Sequence, residues 1–331
     1  MLRGSAILRL LVVLAFASEA FGCSIATTPS SRPASGEAAS ISTPQSVGGW
    51  TLEAPMPTAR EALAAGAIDG ILYEVGGLNH NALNTVEAYN PSTDTWITKS
   101  PMPTPRYFLA SGVINGILYA VGGFDNTVHA LNNVEAYDAA TDSWSTKASM
   151  PTPRSAFAVG VISGILYAVG GEDQNFRPLN TVEAYDPSTD TWTTKASMPT
   201  AREALGVAVV DGKLYALGGD NTSRLATVEA YDPETDSWNT KRPMPTPRDG
   251  LAVAVIDGKI FALGGYACCK ETHKLDAYDP ATDTWTVKAN ALVKSAYTAV
   301  AVVKTGPHAV LYAAGGLSGA TYLNTMEAFN P

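Results

Sequence analysis

The 331-residue chain is 46% apolar and only 16% charged, and 22 Lys+Arg against 31 Asp+Glu give a formal net charge of −9. An acidic chain without a basic stripe cannot neutralise phosphates, so nucleic acid is not an expected partner. The 29 Gly, 21 Pro and 14 Tyr point away from a helical bundle and toward many short strands joined by tight turns.

Residues 1–22 place Arg3 and Arg9 around the start of an apolar stretch and end on small residues. This is a secretory signal pattern, too short to span a bilayer. Ala20-Phe21-Gly22 precedes Cys23. Either Cys23 becomes a lipid anchor at a lipobox-like site, or ordinary cleavage follows Ala20 or Gly22. Residues 23–48 are rich in Ser, Thr and Pro with hardly a large apolar side chain, as expected of a disordered tether. No later run is long and apolar enough for a transmembrane helix. The expected location is outside the cytoplasm: periplasmic, tethered to the cell surface, or secreted.

From Trp50 the chain is periodic. Trp recurs at 50, 96, 144, 192, 238 and 285, and Gly-Gly pairs begin at Gly76, Gly122, Gly170, Gly218, Gly264 and Gly315. A proline-rich hinge (APMPTAR, SPMPTPR and variants) ends in Arg60, Arg106, Arg154, Arg202 and Arg248. Each unit resolves into strands a to d. Strand a is small and apolar, and an Asp-Gly, Asn-Gly or Ser-Gly turn of type I′ character follows it. Strand b (ILYEV, ILYAV, KLYAL) runs into the glycines. Strand c carries Glu-Ala-Tyr, and strand d carries Trp.

These motifs resemble the kelch repeat, and the resemblance covers residues 49–331. It implies an all-β fold: a six-bladed β-propeller with strand a lining a central channel and strand d on the rim. The chain opens on an isolated strand d at residues 50–53 and stops after a strand c. Blade 6 is therefore expected to borrow its d strand from the N-terminal side, which closes the ring.

The most repeated residues are expected to pack rather than to function. Glycine pairs allow close backbone approach, and the Tyr and Trp rows fill the space between sheets. The hinge arginines pair with Glu87, Glu135, Glu183, Glu229 and Asp276 on strand c, in partly buried bidentate ion pairs. Asp-Pro-x-Thr-Asp-x-Trp segments form Asx-type c–d turns. Blade 6 departs from the pattern: Ser295 replaces the hinge Arg, Val293 replaces proline, and Lys-Thr-Gly-Pro-His lengthens the a–b hairpin.

Function is sought where the blades differ. The b–c loops vary most and emerge on the same face as the d–a hinges. Directly after the hinge Arg stand Glu61, Tyr107, Ser155, Glu203 and Asp249. With His80, Asp125, His129, Glu172, Asp173, Arg177, Asp220, Arg224 and Tyr266 they compose an acidic, aromatic-edged candidate binding face. Cys268 and Cys269 are adjacent in the blade 5 loop, either as a vicinal disulfide or as thiols.

The reading is an exported, non-catalytic propeller that binds a protein or a polysaccharide through this face, with no cofactor or metal expected. The alternative implied by the resemblance is a periplasmic sugar epimerase or mutarotase, similar to N-acetylneuraminate epimerase. In that reading Glu203, Arg224 and Glu61 supply a base and an anion clamp. A copper oxidase of the same fold would need two His and two Tyr at one site, whereas His80, His129, His273 and His308 are scattered.

Overall fold

The computed structural model describes residues 48–305 and 308–331. The leader, nearly all of the tether and Cys23 lie outside those residues. Within them the chain forms six four-stranded antiparallel sheets and no helix, so no helix is long and apolar enough to cross a membrane.

Each of these six sheets has the order a-b-c-d. In blade 1 these strands are Ala64–Ile68, Ile71–Val75, Val86–Asn90 and Thr95–Thr98, and blades 2 to 5 repeat the order. Blade 6 takes Ala299–Thr305, His308–Ala314 and Met326–Phe329 from the C-terminal side and Trp50–Leu52 from the other end. Thr51 stands opposite Ala328 in antiparallel register. Neighbouring a strands touch all the way around, blade 6 against blade 1 included. The ring is a closed six-bladed propeller, as the sequence predicts.

The turns follow from residue type. At the first a–b hairpin Asp69 and Gly70 adopt φ of 49° and 81°, the paired positive values of a type I′ turn, which Asp and Gly tolerate best. The extra length in blade 6 goes into longer strands, which pair as far as Thr305 opposite His308.

Burial is deepest in strands b and c, where ILYEV and VEAY bury nearly every residue, and fades at strand d. The core accordingly lies between blades: Tyr73, Val75 and Val86 of blade 1 pack with Leu118, Ala120 and Tyr137 of blade 2. Each such Leu or Val removed from water contributes about 1.5–3 kcal/mol. The glycine pairs permit this approach. A Cβ on Gly76 would lie 2.7 Å from the Arg106 carbonyl of the next blade, and φ is +65°, so a side chain fails on both counts.

Polar ties on the rim reinforce the packing. Each indole N–H donates to a carbonyl of the preceding blade, Trp96 to Ala54 at 2.8 Å and Trp144 to Ser100 at 2.9 Å. The second Asp of each c–d turn accepts twice. Asp142 takes the Tyr137 hydroxyl of its own blade at 2.6 Å and the Ser100 amide of the preceding one at 2.9 Å. The first Asp or Asn of the turn makes the expected Asx bond, Asp186 accepting the Ser188 amide at 2.8 Å.

Candidate functional site

The hinge arginines are wholly buried. Each meets the strand c carboxylate of its own blade, as in Arg106 Nη2 to Glu135 Oε2 at 2.8 Å and Arg202 Nη2 to Glu229 Oε2 at 2.7 Å. The expected bidentate fork is absent. One nitrogen takes one carboxylate oxygen, and Arg106 Nη1 donates instead to the carbonyls of Gly122 and Asn133 at 3.3 and 3.0 Å. The second Glu135 oxygen accepts the Thr104 hydroxyl at 2.6 Å. The guanidinium sits where strands b and c end, and their free carbonyls compete for its donors.

Blades 1 and 6 break this ring differently. Strand b of blade 1 carries Glu74 where the other blades have Ala120, Ala168, Ala216, Ala262 and Ala313. Glu74 is 1% exposed, and neither of its oxygens has a partner, nor do Nε and Nη1 of Arg60. Burial pushes the Glu74 carboxyl up to about 8, with Arg60 opposing the rise and Glu87 adding to it. In blade 6, Ser295 leaves Glu327 without an arginine. Burial lifts its carboxyl to about 7, opposed by backbone donors that include the Val293 amide.

The residue after each hinge Arg turns the other way, toward the channel mouth. It bridges the residue after the Gly-Gly pair in the same blade: Glu61 with Leu78, Tyr107 with Phe124, Ser155 with Glu172, Glu203 with Asp220, Asp249 with Tyr266, and Ala296 with Leu317. The b–c loops and hinges therefore share one face. One residue further on, Ala62, Phe108, Ala156, Ala204, Gly250 and Tyr297 all adopt φ between 49° and 59°. Their peptides form a closed circle, each N–H donating to the carbonyl of the preceding blade, from Ala62 to Tyr297 at 3.0 Å around to Tyr297 to Gly250 at 2.9 Å. Sequence reasoning missed this circle, because Ala, Phe, Gly and Tyr share the equivalent positions and only Gly250 advertises positive φ.

Side chains divide the mouth into halves. Blades 6, 1 and 2 supply Ala296, Leu317, Leu78, Tyr107 and Phe124, and blades 3 to 5 supply Ser155, Glu172, Glu203, Asp220, Asp249 and Tyr266. Tyr297 lies over the circle, its ring 5.0 Å from that of Phe108 and 5.7 Å from that of Tyr266. On the acidic side, Ser155 Oγ donates to Glu172 at 2.9 Å, and Arg224 Nε meets Asp249 at 2.5 Å. Burial lifts Asp249 to about 6, partly offset by Arg224. Burial and then the adjoining Glu172 carboxyl hold Glu203 far above the usual range.

Glu61 is the exception in the apolar half. It is 6% exposed, its carboxylate makes no hydrogen bond or ion pair among the described residues, and burial alone lifts it to about 7. Its charge acts on the hydroxyls of Tyr107, Tyr266 and Tyr297, from blades 2, 5 and 6. The carboxyl thus faces across the mouth.

The remaining sequence candidates sit in the loops outside it. Asp125 accepts the Thr127 and His129 amides at 2.8 and 3.0 Å. Asp173 accepts those of Asn175 and Arg177 at 2.7 and 3.0 Å. Both are turn formers. His80 leans on Tyr322 of blade 6, 5.3 Å between ring centres. Arg224 also donates to the Cys268 carbonyl and stacks over Tyr266 at 5.7 Å. Cys268 and Cys269 are free, exposed thiols at the hairpin tip, so the disulfide alternative is not the one observed. Among the described residues no three ligating side chains gather to hold a metal.

Comparison with known proteins agrees with the blade count. The KLHDC2/KLHL20/DRC7 Kelch-repeats domain model matches residues 97–244, and the Kelch motif model matches 59–103 and 247–291. A solved structure titled "Structure of YjhT" superimposes with a TM-score of 0.71 at 17% identity, covering 82% of this chain and 95% of that one. At that identity the likeness is one of fold. No curated protein matches the chain.

Proposed function

The chain belongs to the kelch-repeat β-propeller family, and from that premise we propose an exported binding protein that holds a protein or carbohydrate ligand at the mouth formed by the b–c loops and d–a hinges. One observation carries the reading. Each hinge arginine has its strand c carboxylate, whereas the mouth keeps a nearly buried carboxylate in Glu61 with no hydrogen bond or ion pair among the described residues. A buried polar group without a partner is costly unless something else completes it.

The epimerase alternative asks more of the mouth than its geometry offers. A clamp for an anionic sugar needs a free cation, and Arg224 is engaged by Asp249 and the Cys268 carbonyl. A general base needs an ionised carboxylate at neutral pH, and Glu203 is held protonated by burial and Glu172.

The test compares faces. Glycan and exported-protein binding should fall when Glu61 or Phe108 is substituted and persist when the opposite a–b turns, at Asp69 or Asp257, are changed. Equal loss from either face would remove the assignment. Sugar anomer exchange above the buffer rate, followed by NMR and abolished in Glu203→Ala, would restore the enzyme reading.

A further inference from the structure

We propose that the mouth is a site for an organic cation, a primary ammonium or guanidinium group on an apolar stem, whose charge rests on Glu61 opposite the carboxyls of blades 3 to 5 and whose stem lies on Phe108 and Tyr297. This rests on the binding reading above and names the chemistry of the ligand. Four observations lead to it.

The first is the state of Glu61. It bridges Leu78 in the apolar half of the mouth, has no internal partner among the described residues, and lies within electrostatic reach of the Tyr107, Tyr266 and Tyr297 hydroxyls of blades 2, 5 and 6. A carboxylate in such a place is completed by a cation brought from outside, because water is the only other source of donors and its access is small. The second is the sign of the surroundings. Glu172, Glu203, Asp220 and Asp249 line the facing half, while its one arginine, Arg224, is already paired. A ligand anion would find no unpaired cation among these side chains.

The third is the aromatic surface. The Phe108 and Tyr297 rings meet edge-on at an interplanar angle of 76°, with Tyr266 behind them. Aromatic faces attract alkylammonium and guanidinium groups, the more so where the contact is desolvated. The fourth is a gap in the loop rim. Side chains tie the blade 1 loop to blade 2 (Asn126 to the Ala82 amide, 2.6 Å) and blade 2 to blade 3 (Gln174 to the Ala130 amide, 2.6 Å). They also tie blade 4 to blade 5 through Arg224, and blade 5 to blade 6 through Glu271 and the Gly319 amide. No such hydrogen bond joins the loops of blades 3 and 4, or those of blades 6 and 1, among the described residues. Phe176 of the blade 3 loop stands 39% exposed and leans toward blade 2, its ring centre 5.7 Å from that of Phe124.

Binding is expected to depend on pH. Glu61 titrates near 7, so the cation should bind above that value and be released as the pH falls below it. The groups facing Glu61 are the Tyr107, Tyr266 and Tyr297 hydroxyls, neutral throughout that range, together with Asp249, Glu203 and Arg224 on the far side.

The experiment is calorimetric titration of the whole protein with phenethylammonium, with 2-phenylethanol as its neutral counterpart, and with a capped Ala-Lys-Ala peptide. Amine binding at about pH 8 should weaken by about tenfold or more near pH 5.5 and in Glu61→Gln, each tenfold being about 1.4 kcal/mol. Glu61→Gln should also lose most of the pH dependence. Phe108→Ala, which removes the aromatic rest for the stem, provides a second variant if the first fails to fold. Binding of the free amine alone identifies a small-molecule ligand, and binding of the peptide as well identifies a basic side chain on a protein. Equal affinity for the alcohol and the amine, or unchanged amine binding in both variants, overturns the proposal. If neither amine nor peptide binds while glycans do, the cation assignment fails and the binding reading stands.

Discussion

Consecutive residues in every hinge lead opposite lives. Arg60, Arg106, Arg154, Arg202 and Arg248 turn into their blades and are buried against partners, while Glu61, Tyr107, Ser155, Glu203 and Asp249 turn to the mouth. The arginines of blades 2 to 5 are nearly interchangeable, because each completes strand-end carbonyls and a strand c carboxylate, while Arg60 keeps only Glu87 and the Glu74 carbonyl. Their neighbours differ in charge, size and partner. A repeat array can therefore vary its recognition surface one residue away from an invariant structural element, provided the two side chains leave the backbone on opposite sides.

The sharpest way to break this division is at the seam. Removing residues up to 53 takes away the d strand of blade 6, the Trp50 contact with Phe329 at 4.9 Å and the indole bond to Ala289. Denaturant unfolding should lose several kcal/mol, a large part of the roughly 5–15 kcal/mol that holds a domain together. An unchanged midpoint would mean that closure is not structural.

Next in size, Arg106→Met should cost about 3–5 kcal/mol, since Glu135 is left buried and unpaired along with several carbonyls. Ligand binding by the surviving folded protein should be unaffected. A mild effect on stability with a strong effect on binding would reverse the roles assigned to the two residues.

Glu74→Ala restores the alanine found in the other blades and should stabilise the fold by about 1–3 kcal/mol. The gain depends on pH. The folded carboxyl is held near 8, above its unfolded value, so the native protein loses stability as pH rises from the ordinary carboxylate range toward 8. Thermal melts of the variant should lack that slope. The smallest effect is expected at the mouth. Glu61→Gln should raise stability above pH 7 and leave it unchanged near pH 4.5, for the same reason of sign.

Much of this was legible in the sequence. Tryptophan spacing, glycine pairs and the hinge arginines led to six blades and to closure through Trp50, because packing between identical units imposes identical residues. That the b–c loops and d–a hinges share one face also followed from the strand order. The single-point geometry of the Arg–Glu pairs did not, since composition cannot reveal how many carbonyls compete for one guanidinium. Glu74 was visible as the one acid among alanines, yet its burial beside Arg60 required the register of strands b and c. Asp125 and Asp173 looked like funnel acids, but amides close by in their own loops claim them.

The circle of six peptides at the mouth has a consequence for selectivity. Its N–H and C=O dipoles run head to tail around the axis, so their components along the channel offer no concentrated pole at the entrance. Unlike a helix end or a nest of amides, which draws anions through unsatisfied donors, this backbone neither donates nor accepts toward an incoming molecule. The main chain supplies a neutral collar, and the sign of what may enter is left to the side chains that each blade happens to place upon it.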